Sequence, residues 1–218
     1  MSRGLAQRLV DTLPGTSPGL FNPWATRCAL DSDSNGPETR LERLTAHLDC
    51  QAQWVLFGEA PGYLGCRYSG VAFTSERLVI SGAIPRVPRE PGRLTTAKRP
   101  LSEPSATIVW QALYALGIAE TTLLWNAVQL HPHRTEKIHS NRTPSPAELE
   151  LGKPALEILV EAFPQARLVA VGNKAADALA RIGVVPAGKI RHPANGGKAE
   201  FVAGLEALVG ERCRKSSR

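Results

Sequence analysis

Three polar residues, each at or near the end of an apolar run, could carry out chemistry together: Glu59, Asn126 and His192. In an α/β chain, side chains that follow parallel strands converge on one crevice even when they are far apart in sequence. A carboxylate, an amide and an imidazole in one crevice would suit the cleavage of a bond to a nucleobase, because the amide can read the base while the other two groups assist bond breaking.

Glu59 lies in a turn that would let the backbone come close to a ligand. The segment Gly58-Glu59-Ala60-Pro61-Gly62 directly follows the apolar run 54–57. Its glycines permit close approach, and its proline stiffens the turn. The segment lacks both the Gly-Lys-Ser/Thr of a Walker loop and the glycine spacing of a dinucleotide site. The alternative interpretation is an ordinary turn in which Glu59 is solvated.

Asn126 offers one hydrogen-bond acceptor and two donors. These groups match the edge of uracil, which presents a ring N–H and a carbonyl. Cytosine has the opposite pattern and would leave buried groups unpaired, at a cost of about 1–3 kcal/mol per group. Asn126 could instead cap a loop, and His192 could be a structural histidine.

The histidines and cysteines do not form a recognisable metal site. His131 and His133 have no third ligand nearby, and the four cysteines contain neither a Cys-x-x-Cys pair nor a zinc-type spacing. We therefore expect no metal and no cofactor, with the cysteines present as reduced thiols.

The composition is that of a folded, basic protein. Of the 218 residues, 43% are hydrophobic, and the net charge of +6 favours DNA or another acidic surface as a partner. No apolar run approaches the roughly 20 residues of a membrane span, and the first residues are too polar for a secretion signal. We therefore expect a cytoplasmic, nucleoid-associated monomer without a membrane partner. We expect one domain, 1–218, with a helix and loop over 1–37 and a basic, disordered tail over 211–218.

Strand and helix patterns alternate four times along the chain. This alternation predicts an α/β fold, a three-layer α/β/α sandwich with a central four-stranded parallel sheet. The predicted strands are 54–57, 123–126, 168–171 and 189–191. The stretch 85–104 holds five prolines and predicts a surface loop. A capping box at 145–148 predicts a helix start, and Pro154 predicts a kink or split in that helix.

The three motifs together resemble those of the uracil-DNA glycosylase superfamily, over roughly residues 54–205. The segment 58–62 resembles the first motif of the branch in which its glutamate is catalytic, and Leu124-Trp125-Asn126-Ala127-Val128 resembles the strand that bears the uracil-reading asparagine. His192-Pro193-Ala194-Asn195-Gly196-Gly197 resembles the second catalytic motif, whose loop enters the minor groove. The fold implied by the resemblance is a four-stranded parallel sheet between helices.

The resemblance implies a monofunctional DNA repair enzyme that releases uracil and leaves an abasic site. Glu59 would stabilise the sugar cation and orient or deprotonate the attacking water, and His192 would donate a hydrogen bond to the developing uracil oxyanion. The base pocket would be lined by Gly58, Gly62, Tyr63, Phe73 and Asn126, with the phenylalanine stacked on the flipped base.

Basic residues and the glycine turn are candidates for contact with the DNA backbone. The candidate residues are Arg67, Arg134, His139, Arg142, Asn195, Gly196, Gly197 and Lys198. Each basic residue could instead be a solvated surface charge.

Two departures from the resemblance affect these expectations. The branch usually holds an iron–sulfur cluster on four cysteines, whereas Cys28, Cys50, Cys66 and Cys213 lack its spacing, so no cluster is expected. The archetypal family has a tyrosine where Gly62 stands, and that tyrosine blocks the methyl group of thymine. Discrimination against 5-substituted uracils would then rest on neighbours such as Tyr63 or Phe73.

A further resemblance provides an alternative function. The segment Lys137-Ile138-His139-Ser140-Asn141-Arg142-Thr143-Pro144-Ser145 is similar to the loop of a uracil-trapping variant of the family, in which the loop histidine bonds covalently to the sugar. His139 occupies the matching position, although that variant carries glutamine where Ala60 stands. The alternatives are therefore a uracil-DNA binding protein that traps the sugar through His139, or a nucleotide- or phosphate-binding α/β enzyme outside DNA repair.

Overall fold

The computed structural model describes the backbone of residues 2–216 and the side chains of residues 2–212. The helices are α1 Ser2–Asp11, α2 Pro37–Leu48, α3 Cys66–Ser69, α4 Glu76–Ile80, α5 Pro104–Ala115, α6 Pro146–Ala162, α7 Asn173–Arg181 and α8 Lys198–Ser216. The strands are β1 Leu20–Phe21, β2 Trp54–Gly58, β3 Thr122–Asn126, β4 His131–Pro132, β5 Arg167–Val171 and β6 Gly188–Ile190. Among the described helices, none is long and apolar enough to cross a membrane.

A four-stranded parallel sheet in the order β3-β2-β5-β6 forms the centre of the molecule. Alternate residues of β2 enter two different cores: Val55 and Phe57 pack with α1, α2, α6 and α7, whereas Trp54 and Leu56 pack with α5 and α8. A strand buried on both faces is typical of a parallel sheet covered by helices on both sides. The predicted α/β fold with four parallel strands is therefore confirmed. The two-residue strands β1 and β4 pair separately and antiparallel.

Helix α6 begins as its capping box predicts but is not split at Pro154. The N–H of Glu148 donates to the Ser145 hydroxyl at 3.3 Å, and the N–H of Ser145 donates to the Glu148 carboxylate at 2.8 Å. Pro154 cannot donate to the carbonyl of Glu150, but both residues are exposed, so water can serve that carbonyl instead. The predicted split of this helix is therefore wrong.

The C-terminal segment is more regular than its composition indicates. Helix α8 continues to Ser216 and so includes residues 211–216, which were expected to be disordered. Residues 217 and 218 lie outside the described residues. The buried side chains of Phe201, Leu205 and Leu208 pack this helix against the sheet, and the helix extends beyond them.

The proline-rich stretch 85–104 is irregular, as predicted, but it is anchored to the interior by Glu76. The fully buried Glu76 carboxylate accepts hydrogen bonds of 2.7–3.0 Å from four residues of the stretch: Arg93, Leu94, Thr95 and Leu101. This anchor fixes the path by which the chain reaches Glu103 and the start of α5.

Buried polar contacts hold α2 against the segment that leads to Phe73. Arg40 and Asp31 form an ion pair in which both side chains are fully buried. Arg43 Nε donates to the carbonyl of Ser69 at 2.8 Å. Because the carbonyl of the last residue of α3 is tied to α2 in this way, the fold determines where the next residues, including Phe73, are placed.

Candidate active site

The first two predicted motifs meet at the carboxyl ends of β2 and β3. Gly58 and Asn126 are direct neighbours across the two strands. The pairing continues past the strand ends, because Ala127 N–H donates to Gly58 O at 2.8 Å and Val128 N–H donates to Glu59 O at 3.0 Å. The backbone around Glu59 is therefore held by the neighbouring chain rather than by a free turn.

Gly58 is a glycine because two other pocket residues occupy the space of a side chain. A Cβ atom at this position would lie 2.6 Å from the Phe73 ring and 2.8 Å from Oδ1 of Asn126. The ring of Phe73 also lies near the imidazole of His192, with ring centroids 5.7 Å apart. The structure thus brings together four residues that sequence reasoning selected from three separate motifs and the segment after α3.

Phe73 adopts a backbone conformation that is rare for a residue with a side chain. Its φ is +48°, in the left-handed region. The indole nitrogen of Trp110 donates to the Phe73 carbonyl at 3.0 Å and to the Thr74 hydroxyl at 3.2 Å. The surrounding structure therefore holds Phe73 in a conformation that orients its ring beside Gly58 and Asn126.

The side-chain amide of Asn126 has no hydrogen-bond partner among the described residues, although the residue as a whole is buried. Asn126 is only 5% exposed, and the hydrogen bond that Gln129 donates at this residue goes to its backbone carbonyl. Buried amides in folded proteins are almost always satisfied. An unsatisfied amide beside an aromatic ring is therefore available to a bound ligand.

His192 is held as a neutral imidazole with a defined tautomer. The N–H of Ala194 donates to Nδ1 at 3.1 Å, so the ring proton resides on Nε2. Burial, reinforced by the charge of Arg191, lowers the pKa of His192. Nε2 is then a neutral hydrogen-bond donor.

Glu59 is half-buried, and burial raises the pKa of its carboxyl group. The charge of Lys174 and the hydroxyl of Thr143 oppose that shift. A carboxylate in such a place titrates above its usual range and keeps a strong field when it is ionised.

The candidate catalytic groups face a cleft of about 470 Å³. Its wall includes Glu59, Gly62, Glu103, Thr143, His192 and Asn195. Phe73 and Asn126 are not on this lining; the Phe73 ring lies beside that of His192, which is, and Asn126 lies beside Phe73 at Gly58. A cleft of this size can admit a single nucleotide unit.

Sequence reasoning missed Glu103, Ser105 and Thr143, which also line the cleft. Glu103 stands directly before Pro104 at the start of α5, a position that usually indicates only a helix boundary. Its approach to Gly62 depends on the long path of the proline-rich stretch, which no local pattern indicates.

The structure places Tyr63 away from the cleft. Its ring packs edge-on against His139, with ring centroids 4.7 Å apart, and against Tyr68, with centroids 5.8 Å apart. Gly62 lines the cleft whereas Tyr63 does not, and the contact of Tyr63 with the base stays a prediction.

Two arginines expected to contact DNA are engaged inside the protein. Arg67 is 3% exposed, donates to Nδ1 of His131 at 2.6 Å and stacks on Phe21, so the expectation of a phosphate contact is corrected. Arg142 lines the cleft, but it forms a bidentate pair with Glu148 at 2.6 and 2.7 Å. Its charge is therefore largely neutralised.

The remaining candidates for DNA contact lie on the surface. Arg134, His139, Asn195, Gly196 and Lys198 are exposed. Gly197 is required by close packing, because a Cβ there would lie 2.2 Å from the carbonyl of His192. The turn at 195–197 therefore joins His192 to the N-terminus of α8, and its contact with DNA stays a prediction.

The described cysteines do not fit an iron–sulfur cluster. Cys28 Sγ lies 3.3 Å from Arg67 Nε and from the Tyr68 hydroxyl, whereas Cys50 Sγ lies 3.3 Å from the carbonyl of Glu120. Within residues 2–212, no three His, Cys, Asp or Glu side chains are grouped so that they could hold a metal ion. The side chain of Cys213 lies outside the described residues.

Comparisons with known proteins bear on the family and on the fold of the chain. The family model described as the uracil DNA glycosylase superfamily matches residues 46–209. The crystal structure of wild-type Pedobacter heparinus SMUG2 is similar, with a TM-score of 0.62 over 98% of this chain and 99% of that one. The two sequences are 15% identical, so the similarity shows the fold. No curated protein matches the chain.

Proposed function

The chain belongs to the uracil-DNA glycosylase superfamily, and from that premise we propose that it hydrolyses the N-glycosidic bond of uracil in DNA. Membership implies a DNA repair glycosylase that acts on DNA. The choice of uracil and the monofunctional outcome, which leaves an abasic site, are proposed from the chemistry of the cleft.

The observation that carries the choice of base is the unpaired amide of Asn126 beside the ring of Phe73. Asn126 can accept from the N3–H of uracil and donate to its O4. Cytosine would place an acceptor and a donor in the reverse order, which costs about 1–3 kcal/mol for each buried group left unpaired. Phe73 supplies a flat apolar surface for a base that has left the DNA stack.

His192 would stabilise the departing base. Cleavage of the glycosidic bond leaves negative charge on uracil, and a neutral Nε2–H can donate to the oxygen on which that charge develops. The fixed tautomer means that no rearrangement is needed at the moment of reaction. Donors of this kind typically contribute roughly 10²–10³-fold in rate.

Glu59 would act on the sugar. Its carboxylate stabilises the positive charge that develops on the deoxyribose and orients or deprotonates the attacking water. The neighbouring Lys174 influences Glu59 but is not among the residues that line the cleft. We therefore propose hydrolysis by water, without an amine nucleophile and without strand cleavage.

The function is tested with a labelled oligonucleotide that carries one uracil, incubated with excess protein and then treated with alkali. The proposal expects cleavage at uracil only after alkali, and a rate for Glu59→Gln that is lower by roughly 10²–10⁴-fold while DNA binding persists. An intact strand after alkali would refute the proposal, and strand cleavage without alkali would refute the monofunctional mechanism.

Covalent trapping through His139 receives no support from the position of this side chain. His139 is exposed and packs on Tyr63, and it is not among the residues that line the cleft. The same reactions, loaded on a denaturing gel, distinguish the two functions. A protein–DNA band that survives SDS and disappears in His139→Ala would assign trapping in place of hydrolysis.

A further inference from the structure

The carboxyl group of Glu103 fills the space beside two glycines of the cleft. A Cβ on Gly65 would lie 1.8 Å from Oε2 of Glu103, and a Cβ on Gly62 would lie 3.3 Å from Oε1. The hydroxyl of Ser105 donates to Oε1 at 2.8 Å and holds the side chain in this position. The carboxyl group of Glu103 therefore occupies space that side chains at positions 62 and 65 would otherwise fill.

Glu103 also borders two cavities. It lines the cleft with Glu59 and His192, and it lines an adjoining groove of about 480 Å³ together with Leu64, Ile108 and Lys198. No basic side chain among the described residues neutralises it, and burial raises its pKa. Gly62, Ser105 and Asn195 also border both cavities, and Glu103 contributes a carboxyl group to this shared border.

We propose that Glu103 is a specificity-determining residue whose carboxyl group forms the cleft wall beside Gly62 and limits the size of the base that enters. This inference rests on the proposed function, because it concerns the base held by Asn126 and Phe73. Tyr63 packs against His139 and Tyr68 and is not on the cleft lining, and Gly62 has no side chain with which to form that wall.

The chemistry of the base shows which edge must face the wall. Asn126 would bind the N3 and O4 edge of the base, and His192 would donate to the oxygen on which charge develops. The sugar is attached at N1. The C5–C6 edge, which has no hydrogen-bonding group, is the edge that remains. Uracils with a substituent on C5, such as thymine, carry their extra atoms at this edge. A wall at this edge would therefore decide whether they fit the pocket.

The test compares Glu103→Ala, which removes the wall, with Glu103→Gln, which keeps its size but removes its charge. The substrates are matched oligonucleotides with uracil, thymine or 5-hydroxymethyluracil, and the readout is kcat/KM for each. The structure predicts that Glu103→Ala raises the ratio of the 5-substituted bases to uracil by roughly 10–200-fold, the usual range for shape selection in a pocket. Glu103→Gln should keep the wild-type ratio.

The possible outcomes separate the inference from the proposed function. The proposed role of Glu103 would be wrong if the ratio of kcat/KM for 5-substituted bases to that for uracil were unchanged in Glu103→Ala, or changed equally in both variants. A wild-type protein that releases no uracil would refute the proposed function, and the inference with it. If the alanine variant does not fold, Glu103→Asp replaces it, because aspartate moves the carboxyl group back by one methylene. This variant should give a smaller increase of the ratio in the same direction. An unchanged ratio would contradict the inference.

Discussion

The backbone N–H of Ala194 donates a 3.1 Å hydrogen bond to Nδ1 of His192, which fixes the proton of the imidazole on Nε2. Burial lowers the pKa of the same ring. These two effects favour the neutral form of His192 with its proton on Nε2. We therefore expect Glu59, and not His192, to set the pH dependence of the reaction.

The rate of base release should rise with pH through the pKa of Glu59. Burial raises that pKa above the ordinary glutamate value, and the reaction requires the carboxylate, so activity is lost as pH falls. His192→Ala should lower the single-turnover rate by roughly 10²–10³-fold and leave the acid midpoint in place. A midpoint that moves when His192 is replaced would show that the histidine titrates in the reaction, against this account.

Loss of the Asn126 amide should weaken the recognition of uracil. Asn126→Ala removes both partners of the uracil edge, and the unpaired groups cost about 1–3 kcal/mol each, so kcat/KM should fall by at least roughly tenfold. The matched control is Gln129→Ala, which removes the neighbouring donor to the Asn126 carbonyl without touching the amide. A similar loss in both variants would indicate disturbance of the loop rather than loss of recognition.

Arg67 supports the cleft from within. It donates to Nδ1 of His131, whose Nε2 lies 3.1 Å from the carbonyl of Ser140 and from Oδ1 of Asn141. Asn141 Oδ1 also accepts from the N–H of Tyr63 at 2.8 Å. This chain of contacts positions the loop that borders the cleft.

The salt dependence of DNA binding should distinguish Arg67 from a true phosphate contact. Loss of one phosphate contact reduces the slope of log K against log salt by about 0.9 for duplex DNA. Lys198→Ala, at an exposed cation beside the glycine turn, should show that reduction. Arg67→Met should weaken binding or folding without changing the slope. A slope reduced equally in Arg67→Met would restore Arg67 as a DNA contact.

Two buried histidines should make the fold sensitive to acid. Burial, reinforced by the nearby charges of Arg86 and Arg67, lowers the pKa of His47 and of His131 to about 3. Between pH 6.5 and 3 the unfolded chain binds a proton at each site and the folded chain does not, so the free energy of unfolding falls as pH falls. The slope should be about 1.4 kcal/mol per pH unit for each histidine.

Urea unfolding at several pH values between 7 and 5 measures that slope. His47→Gln keeps an acceptor for the N–H of Leu124, which His47 Nε2 now serves at 2.9 Å, but it removes the titration. The slope of the variant should be smaller by the share of His47, about 1.4 kcal/mol per pH unit. His139→Ala, at an exposed histidine, should keep all of it. Unfolding that is independent of pH over this range would contradict the assignment.

The sequence predicts those features of the site that follow from local pattern. The strand ends, the capping box at Ser145 and the convergence of the motifs around Asn126 depend on periodicity and turn chemistry, and the structure shows them. The partners of Arg67 and Glu103 depend on segments far away in the chain. Phe21 and Cys28 cover the arginine, and the path from Glu76 brings Glu103 to Gly62. No pattern within a few residues indicates such contacts.

The central claim is that this cleft selects uracil through Asn126 and releases it by hydrolysis. Mass spectrometry of the free bases released from otherwise identical duplexes, each with one uracil or one cytosine at the same site, tests it most directly. The account predicts one free uracil for every alkali-labile site and no free cytosine. Release of cytosine at a comparable rate, or alkali-labile sites without free uracil, would contradict it.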